Sequence, residues 1–478
     1  MRAAGGTARR AAALMVFVLL WAAPLATGWA AADEMDTGEA GQGGFDAPGD
    51  DAWLWADPDE LFLLDEGLLF GGDGLFSESQ EAESAAPHEV FLVTEGVDVG
   101  GSYDLSTNLA WSRGVEGSGS SGGELEAQRW AELAGSLFFD YRPSVDFRAF
   151  AKLKGDAVLD ESGPQSKIWL HELFADFDVG DRAFFRVGKQ TVNWGVGYFF
   201  SPADIINIGR IDPEEPEAER EGPVAVRIHL LAGRVNYDVY TLVHGKPGDY
   251  RIALAPKAEF VYGGSEVGLG LYYRADRAPR AMATLSTSLL GRVAVFGEAV
   301  ASFGSDKRFV KEAPGTLLGL SVYEDPDTVR FHFTAGARVN HSDPDGRFTV
   351  MAAGQYYYNG EGYDGEFLKE NLGKMYGLVA MGQLASSDVL PLTVGRHYAA
   401  LSVSGTSSSL RNVTPSVFWL GNLSDGSGMV TFSLGYTGWK DVRPSVSVSR
   451  MYGAAGSELA PTGPSTRFTV GVSFGRSF

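Results

Sequence analysis

Apolar and polar side chains alternate with a period of two from about residue 90 to the C terminus, and this limits the chain to few folds. Successive residues of a β-strand point to opposite faces of the sheet. The clearest run places Phe468, Val470, Val472 and Phe474 on one face and Thr469, Gly471 and Ser473 on the other. Similar runs recur along the chain, so its body is predicted to be all-β.

The polar faces of several predicted strands carry full charges. Arg148 and Lys152 alternate with Phe147, Ala149 and Ala151. Inside a β-sandwich each such charge would be buried at a cost of several kcal/mol. In a wide membrane barrel the inner face is wet and the outer face meets lipid, so the same pattern carries no such cost. The prediction is a transmembrane antiparallel β-barrel.

The connections between predicted strands alternate in length. Short turns carry Gly, Asn, Asp and Pro, the residues of hairpins. Nine longer connections and eight short ones predict eighteen strands, and sixteen is left open. The longer connections are predicted at about 113–126, 156–167, 191–222, 244–250, 275–279, 304–328, 359–391, 422–428 and 453–466.

The first 88 residues differ from the rest. Residues 1–32 have the layout of a secretory signal peptide, with Arg2, Arg9 and Arg10 before an apolar run and small residues at its end. A retained anchor is the alternative. Residues 33–88 contain sixteen Asp and Glu and no Lys or Arg, as expected for a mostly disordered periplasmic leader. This leader is interpreted as a spacer, or as a segment that docks on a periplasmic partner or into the barrel mouth. The barrel is assigned to residues 89–478.

Composition argues against several functions. The chain has no cysteine and seven histidines, which excludes a disulfide framework and leaves little material for a metal site. No metal or other cofactor is expected. The net charge of -22 argues against nucleic acid as a partner. His397 beside Ser402 is the best candidate for an enzyme site, but no GxSxG motif accompanies it, so we predict no enzymatic activity.

The C-terminal strand carries a family resemblance. Phe478 ends the chain in phase with Phe474, and this resembles the C-terminal signal strand of bacterial outer-membrane β-barrels. The resemblance implies that the barrel-assembly machinery reads Phe474 and Phe478. Together with the export signal, it implies localisation in the outer membrane, in contact with its lipids.

The third long connection, about 191–222, combines aromatic residues with acids. Tyr198, Phe199 and Phe200 favour burial, and the barrel interior is the nearest place for them. The segment resembles the inward-folded constriction loop of general porins, in which loop acids face bases on the wall. The loop acids so identified are Asp204, Asp212, Glu214, Glu215 and Glu217, and the wall bases on predicted inner faces are Arg148, Lys152, Arg186, Arg227, Arg338 and Arg396. Arg210 and Arg220 are alternatively expected to pair within the loop.

The function predicted is a channel for passive or weakly selective diffusion of small hydrophilic solutes. Opposed acids and bases at a narrow point would impose a transverse field that orients dipolar solutes. The alternative is a structural or adhesive barrel that acts through connections 304–328 and 359–391, where residues 367–376 predict a short helix. Tyr356, Tyr357 and Tyr358 are assigned to an interfacial girdle in preference to a sugar-stacking track. The solute and a homo-oligomeric state stay open.

Overall fold

The structure is a computed structural model, and it describes residues 92–94, 96–114, 126–144, 146–179, 182–232, 235–246, 249–262, 264–289, 292–345, 347–410 and 412–478. The predicted signal peptide and acidic leader lie outside these residues. In the part of the chain described, no helix has both the length and the apolar character needed to cross a membrane.

Strands make up most of the described chain. The first ten are β1 Leu92–Thr94, β2 Val97–Gly114, β3 Glu126–Ser144, β4 Phe147–Asp160, β5 Gly163–Val179, β6 Ala183–Lys189, β7 Val224–Ala232, β8 Val235–Lys246, β9 Asp249–Tyr262 and β10 Ser265–Arg274. The others are β11 Arg280–Leu289, β12 Val293–Phe303, β13 Arg308–Glu312, β14 Leu320–Glu324, β15 Val329–Ser342, β16 Phe348–Asn359, β17 His397–Ser407, β18 Val413–Asn422, β19 Ser427–Tyr436, β20 Val442–Tyr452 and β21 Ser465–Ser477. One α-helix, α1, spans Gly365–Ala380, and short 3₁₀ turns span Ser386–Val389 and Ser408–Leu410.

Eighteen of these strands form a closed barrel. Each of β2 to β12 and β15 to β21 pairs antiparallel with its neighbour, and β21 pairs with β2 to close the ring. The prediction of a transmembrane-type antiparallel barrel with eighteen strands is confirmed. Strand β1 is an additional short strand beside the start of β2, and β13 and β14 form a separate hairpin.

The two faces of the barrel differ as the alternation predicted. On β10, Leu269, Leu271 and Tyr273 are at least half exposed, whereas the intervening Tyr272 is buried. On β15, Phe331 and Phe333 are exposed and Thr334 is buried. The exposed set is apolar and surrounds the barrel, as a lipid-facing surface requires. The opposite, inner face carries the wall residues that contact the third long connection, the one between β6 and β7.

Two predicted long connections are shorter than expected. The prediction of a loop at 156–167 is wrong, because β4 and β5 continue to a tight turn at Glu161 and Ser162. Likewise β8 and β9 extend to Lys246 and Asp249. Strand ends that project above a membrane meet water on both faces, so the apolar alternation that identifies a strand disappears there although the pairing continues.

Two other long connections carry folded structure. Connection 304–328 contains the β13–β14 hairpin, and connection 359–391 contains α1, which confirms the predicted helix. Asp364 accepts a hydrogen bond from the Phe367 backbone N–H and caps the helix. The inner side of α1 packs on the hairpin through Leu368, Leu372, Met375, Leu378, Val310 and Leu320.

The tyrosine run on β16 is divided between the two faces. Tyr356 and Tyr358 contact Phe333 on the outer face, with ring centroids 6.0 and 5.0 Å apart, which agrees with an interfacial girdle. Tyr357 points inward and stacks on Phe200 at 5.5 Å. It therefore belongs to the packing of the third connection.

Candidate functional site

The connection between β6 and β7, residues 190–223, lies against the inner wall of the barrel. Its apolar side chains fill two clusters with inward-facing wall residues. In the first, Trp194 packs edge-on against Tyr240 with centroids 5.3 Å apart. In the second, Phe199 packs on Phe418 at 6.0 Å. Buried apolar residues of this loop include Val192, Trp194, Phe199, Phe200, Ala203 and Ile206. We call residues 190–223 the inner loop.

One wall glutamate holds the backbone of the inner loop. Glu298 on β12 is 4% exposed. Its Oε1 accepts hydrogen bonds from the backbone N–H groups of Val196 and Gly197 at 2.5 and 2.6 Å, and its Oε2 accepts from Ala203 N–H at 2.9 Å. The Ser201 hydroxyl adds a fourth donor at 2.9 Å. These four hydrogen bonds offset the cost of burying the Glu298 carboxylate, and they hold the loop in position.

A wall glutamine acts beside it. Gln355 on β16 accepts from Tyr198 and Phe199 N–H groups at 3.0 and 2.7 Å through Oε1, and its Nε2 donates to the Phe200 carbonyl at 2.5 Å. The tight path between the two anchors requires glycine, because a Cβ on Gly197 would lie 2.0 Å from the Phe200 carbonyl oxygen. Residues 196–203 thus have a single well-defined position on the wall.

The second half of the inner loop presents acids to bases on the wall. Glu219 lies 2.5 Å from Lys152 Nζ and 2.9 Å from Lys154 Nζ, both on β4, and 3.4 Å from His171 Nε2 on β5. Partial burial opposes the ionisation of Glu219, but the two lysines outweigh it and lower its pKa to about 2. Glu219 is therefore a permanent negative charge at ordinary pH.

Glu217 pairs with the opposite side of the barrel. Its Oε1 lies 3.6 Å from Arg338 Nη2 on β15 and accepts a hydrogen bond from the Tyr198 hydroxyl at 3.1 Å. The Arg338 guanidinium also lies 4.3 Å from the centroid of the Tyr198 ring. Strands β4 and β15 are nine positions apart in the ring of eighteen, in either direction. Two loop residues separated by one position thus contact diametrically opposed walls.

The base of the inner loop is fastened by its own ion pairs. Asp204, whose side chain is 4% exposed, pairs with Arg220 within the loop. Lys189 pairs with Glu221 and also donates to the Leu170 carbonyl at 2.7 Å. Asp204 is thus engaged inside the loop and not with the wall.

Three of the predicted wall bases lie on β4, β6 and β7 and pair with acids of the wall itself. Arg148 Nε is 2.9 Å from Asp140, Arg186 Nε is 2.6 Å from Asp176, and Arg227 Nε is 2.6 Å from Asp238. They form a belt on the inner face, separate from the Glu217 and Glu219 pairs. Arg396 precedes β17 and donates to the Gly362 carbonyl at 3.2 Å.

The remaining predicted loop acids occupy a turn. Asp212 Oδ1 accepts from Glu214 N–H at 2.9 Å, and Glu215 is exposed. Glu214 is 8% exposed. Burial, with Asp212 and Glu215 nearby, raises the pKa of Glu214 well above its usual value.

The C-terminal phenylalanines lie at the seam that closes the barrel. Phe474 contacts the Tyr103 ring at 6.0 Å on the outer face. The Phe478 backbone exchanges hydrogen bonds of 3.0 and 2.9 Å with Gly101 on β2. The last residue therefore still pairs with the first barrel strand.

Sequence reasoning missed Glu298, Gln355, Lys154 and Glu219, which hold the inner loop. Lys154 is in phase with Arg148 and Lys152 along the same strand, and Glu219 lies within the predicted loop 191–222, so both were available as candidates. Glu298 and Gln355 lie in strands whose partners come from a segment about 100 and 155 residues away. No local pattern signals such a contact.

A second buried carboxylate joins three outer connections. Glu458, 1% exposed, accepts from Leu392 N–H at 2.7 Å and from the Tyr398 hydroxyl at 2.8 Å, and it pairs with Asn422. Its own N–H donates to Asp425 at 2.8 Å. Burial, reinforced by the charge of Asp425, raises the pKa of Glu458 to about 7.

This shift predicts a pH-dependent stability. The ordinary pKa of a glutamate is 4.5, and that of Glu458 in the folded protein is about 7. Between these two pH values the folded protein retains a proton on Glu458 that the unfolded chain loses. The free energy of unfolding should therefore fall as pH rises through this window, by about 3 kcal/mol in total. Replacing Glu458 by Gln should remove this dependence, as measured by denaturant unfolding at pH 5 and pH 8. Glu366→Gln on the exposed side of α1 is the control; equal pH dependence in wild type and Glu458→Gln would contradict the assignment.

Comparison with known proteins gives structural matches alone. No protein-family model matches the chain, and no curated protein sequence matches it. Among solved structures, OccAB1 of Acinetobacter baumannii has a TM-score of 0.46 at 11% identity, covering 82% of this chain and all of that one. OccK2 of Pseudomonas aeruginosa, solved with glucuronate, has 0.44 at 11%, covering 80% and 98%. OmpF of Salmonella typhi, solved with daunomycin, has 0.41 at 10%, covering 80% and 99%. The closed antiparallel barrel itself is shown by the strand pairing of this chain.

Proposed function

We propose that the chain is an outer-membrane channel for passive or weakly selective diffusion of small hydrophilic solutes, and that the inner loop is its constriction. An apolar outer surface and a charged, hydroxyl-rich inner surface suit a water-filled pore in lipid. A ring of eighteen strands is wide enough for an aqueous path. The channel needs neither a cofactor nor covalent chemistry.

The observation that carries the proposal is the pairing of Glu217 and Glu219 with opposed walls. A loop that reaches both sides of the lumen narrows the path wherever it crosses. The charges of Arg338, Lys152 and Lys154 beside these acids would produce a field across the opening. Small dipolar solutes would be oriented by that field, and large ones would be excluded.

Planar-bilayer recording of the purified protein tests the proposal. Insertion should produce discrete conductance steps in potassium chloride, because water fills the lumen on both sides of the loop. Swelling of protein-containing liposomes in sugars of increasing size should give a sharp size limit. Protein that inserts in its folded form and never conducts would contradict the proposal.

The alternative is a structural or adhesive barrel without an open path. The packing of α1 on the β13–β14 hairpin favours it, since a folded outer element offers a surface for binding. Conductance separates the two functions. A barrel that neither conducts nor admits sugars, but adheres to cells or matrix through α1, would replace the channel.

We also propose how the chain reaches the membrane. Residues 1–32 would be cleaved as a signal peptide, and residues 33–88 would remain as a periplasmic leader. The assembly machinery would read Phe474 and Phe478 at the closing seam. Replacing both phenylalanines by alanine should lower the amount of heat-modifiable barrel in outer-membrane fractions, and unchanged assembly would contradict this role.

A further inference from the structure

The outer face of the barrel carries an uneven distribution of arginines. By the alternation of each strand, the outward-facing arginines on the loop-side halves of the described strands are Arg113 on β2, Arg129 on β3 and Arg450 on β20. These strands, with β21, are consecutive in the ring. Arginines that only extend toward water from a membrane rim would be distributed around the whole barrel. Clustering at one seam points to a bound partner.

Two of these arginines lie in register on either side of one threonine. Thr466 on β21 is the direct cross-strand partner of Arg113 and of Arg450. Neighbouring strands are about 4.8 Å apart, so the two Cα atoms are separated by about 10 Å. The Arg450 guanidinium donates to the Thr466 hydroxyl at 2.6 Å. Both guanidinium groups can therefore approach one anionic group placed over Thr466.

Neither arginine has a carboxylate partner among the described residues, and both are exposed. The inward-facing arginines behave differently: Arg148, Arg186 and Arg227 each pair with an aspartate. Arg113 and Arg450 thus leave two positive charges on the outer face. The planar fork of a guanidinium fits phosphate oxygens in pairs.

The surroundings identify the kind of molecule that would carry the phosphate. In the same cross-strand row, Arg450 is opposite Val430, which is opposite Trp419. Trp419 donates to the Tyr452 hydroxyl at 2.8 Å, and such aromatic groups mark the headgroup level of a membrane. One step toward the membrane centre, Trp111 and Phe468 are in contact at 5.8 Å, and Val448 and Phe468 are each 39% exposed. A phosphate over Thr466 would have acyl chains along this apolar band.

We infer that Arg113 and Arg450 bind the phosphate groups of a phosphorylated lipid in the outer leaflet of the membrane. The inference rests on the proposed placement in the outer membrane with the long connections outside, and it does not depend on conduction. The lipid would attach at the β20–β21–β2 seam, where the last strand joins the first. Basic pockets at membrane interfaces recognise anionic headgroups in this way.

Native mass spectrometry of the full chain in detergent tests the inference. The probe is synthetic lipid A with two phosphates, compared with the same lipid after dephosphorylation. Wild-type protein should bind the phosphorylated form about 25-fold more tightly, since each of two arginines contributes roughly fivefold. Inorganic phosphate at equal concentration should not displace the lipid, because it lacks the acyl chains. Equal binding of the two lipid forms, or displacement by inorganic phosphate, would overturn the inference without any variant.

The variants localise the effect. Arg113→Gln with Arg450→Gln should reduce binding of the phosphorylated lipid about 25-fold and leave binding of the dephosphorylated lipid unchanged. Arg277→Gln is the matched control, since Arg277 is an exposed arginine in the connection after β10, away from the seam. Equal binding by wild type and the double variant would overturn the assignment. Single-channel conductance of the double variant should equal that of wild type, so loss of lipid binding and failure of the channel proposal give separate readings.

Discussion

Removing the part of the inner loop between its two ends, residues 195–219, is expected to raise single-channel conductance several-fold. The barrel wall keeps its strands, because the deleted residues lie outside β6 and β7. What is lost is the segment whose acids contact β4 and β15. A barrel of this size without the segment approaches an unobstructed aqueous channel. The measurement is conductance per channel in planar bilayers, with sugar size limits from liposome swelling.

A shortened turn between β4 and β5, at residues 158–165, is the control for that deletion. This turn belongs to a hairpin whose ends pair closely, and its removal should leave conductance unchanged. A loop-deleted barrel that inserts and conducts like wild type would contradict the proposed constriction.

Replacing Glu298 by Ala is expected to release the inner loop from the wall. The change leaves the N–H groups of Val196, Gly197 and Ala203 without their acceptor. Each buried donor left unpaired costs about 1–3 kcal/mol, so a local loss of about 3–9 kcal/mol is expected for the three donors. The variant should show larger and noisier conductance steps, and the loop should become sensitive to proteases while the barrel stays intact.

Two further variants define the role of Glu298. Glu298→Gln should retain part of the effect, because its amide oxygen still accepts hydrogen bonds. Glu266→Ala removes an exposed carboxylate of the wall on β10 and should behave like wild type. Steady wild-type conductance and a protease-resistant loop in Glu298→Ala would show that the loop is held without Glu298, and would contradict this prediction.

The barrel follows from local pattern, and that is why the sequence could predict it. A lipid-facing strand needs an apolar side chain at every second position, as at Phe468, Val470 and Val472, so strand class, strand number and facing are local properties. The alternation of apolar and polar residues weakens where a strand projects above the membrane, because both faces of the strand then meet water. There β4 continues to Asp160 with little apolar alternation to identify it.

The inner loop was predictable as a segment and not as a set of contacts. Tyr198, Phe199 and Phe200 in a long polar connection indicate burial. Which wall residues receive them depends on the closed ring, because β12 and β16 are brought to the loop by the pairing of all the strands between. The charges behave similarly: Glu217 meets Arg338, whereas Arg148 and Arg227 meet aspartates on adjacent strands. Opposite charges on adjacent strands pair with each other and not with the loop. The sequence alone does not show which charged residues lie on adjacent strands in register.

The contact of the inner loop with opposed walls can be tested by cross-linking in a chain that has no native cysteine. One variant would carry cysteines in place of both Glu217 and Arg338, and a second variant would carry them in place of both Glu219 and Lys152. A short bifunctional thiol reagent would be added to membranes that contain each variant. Both pairs should cross-link, seen as a changed gel mobility and a linked peptide in mass spectra, while Glu217 with Glu266 should not. Cross-linking of Glu219 to Lys152 without that of Glu217 to Arg338 would place the loop against one wall and contradict the account.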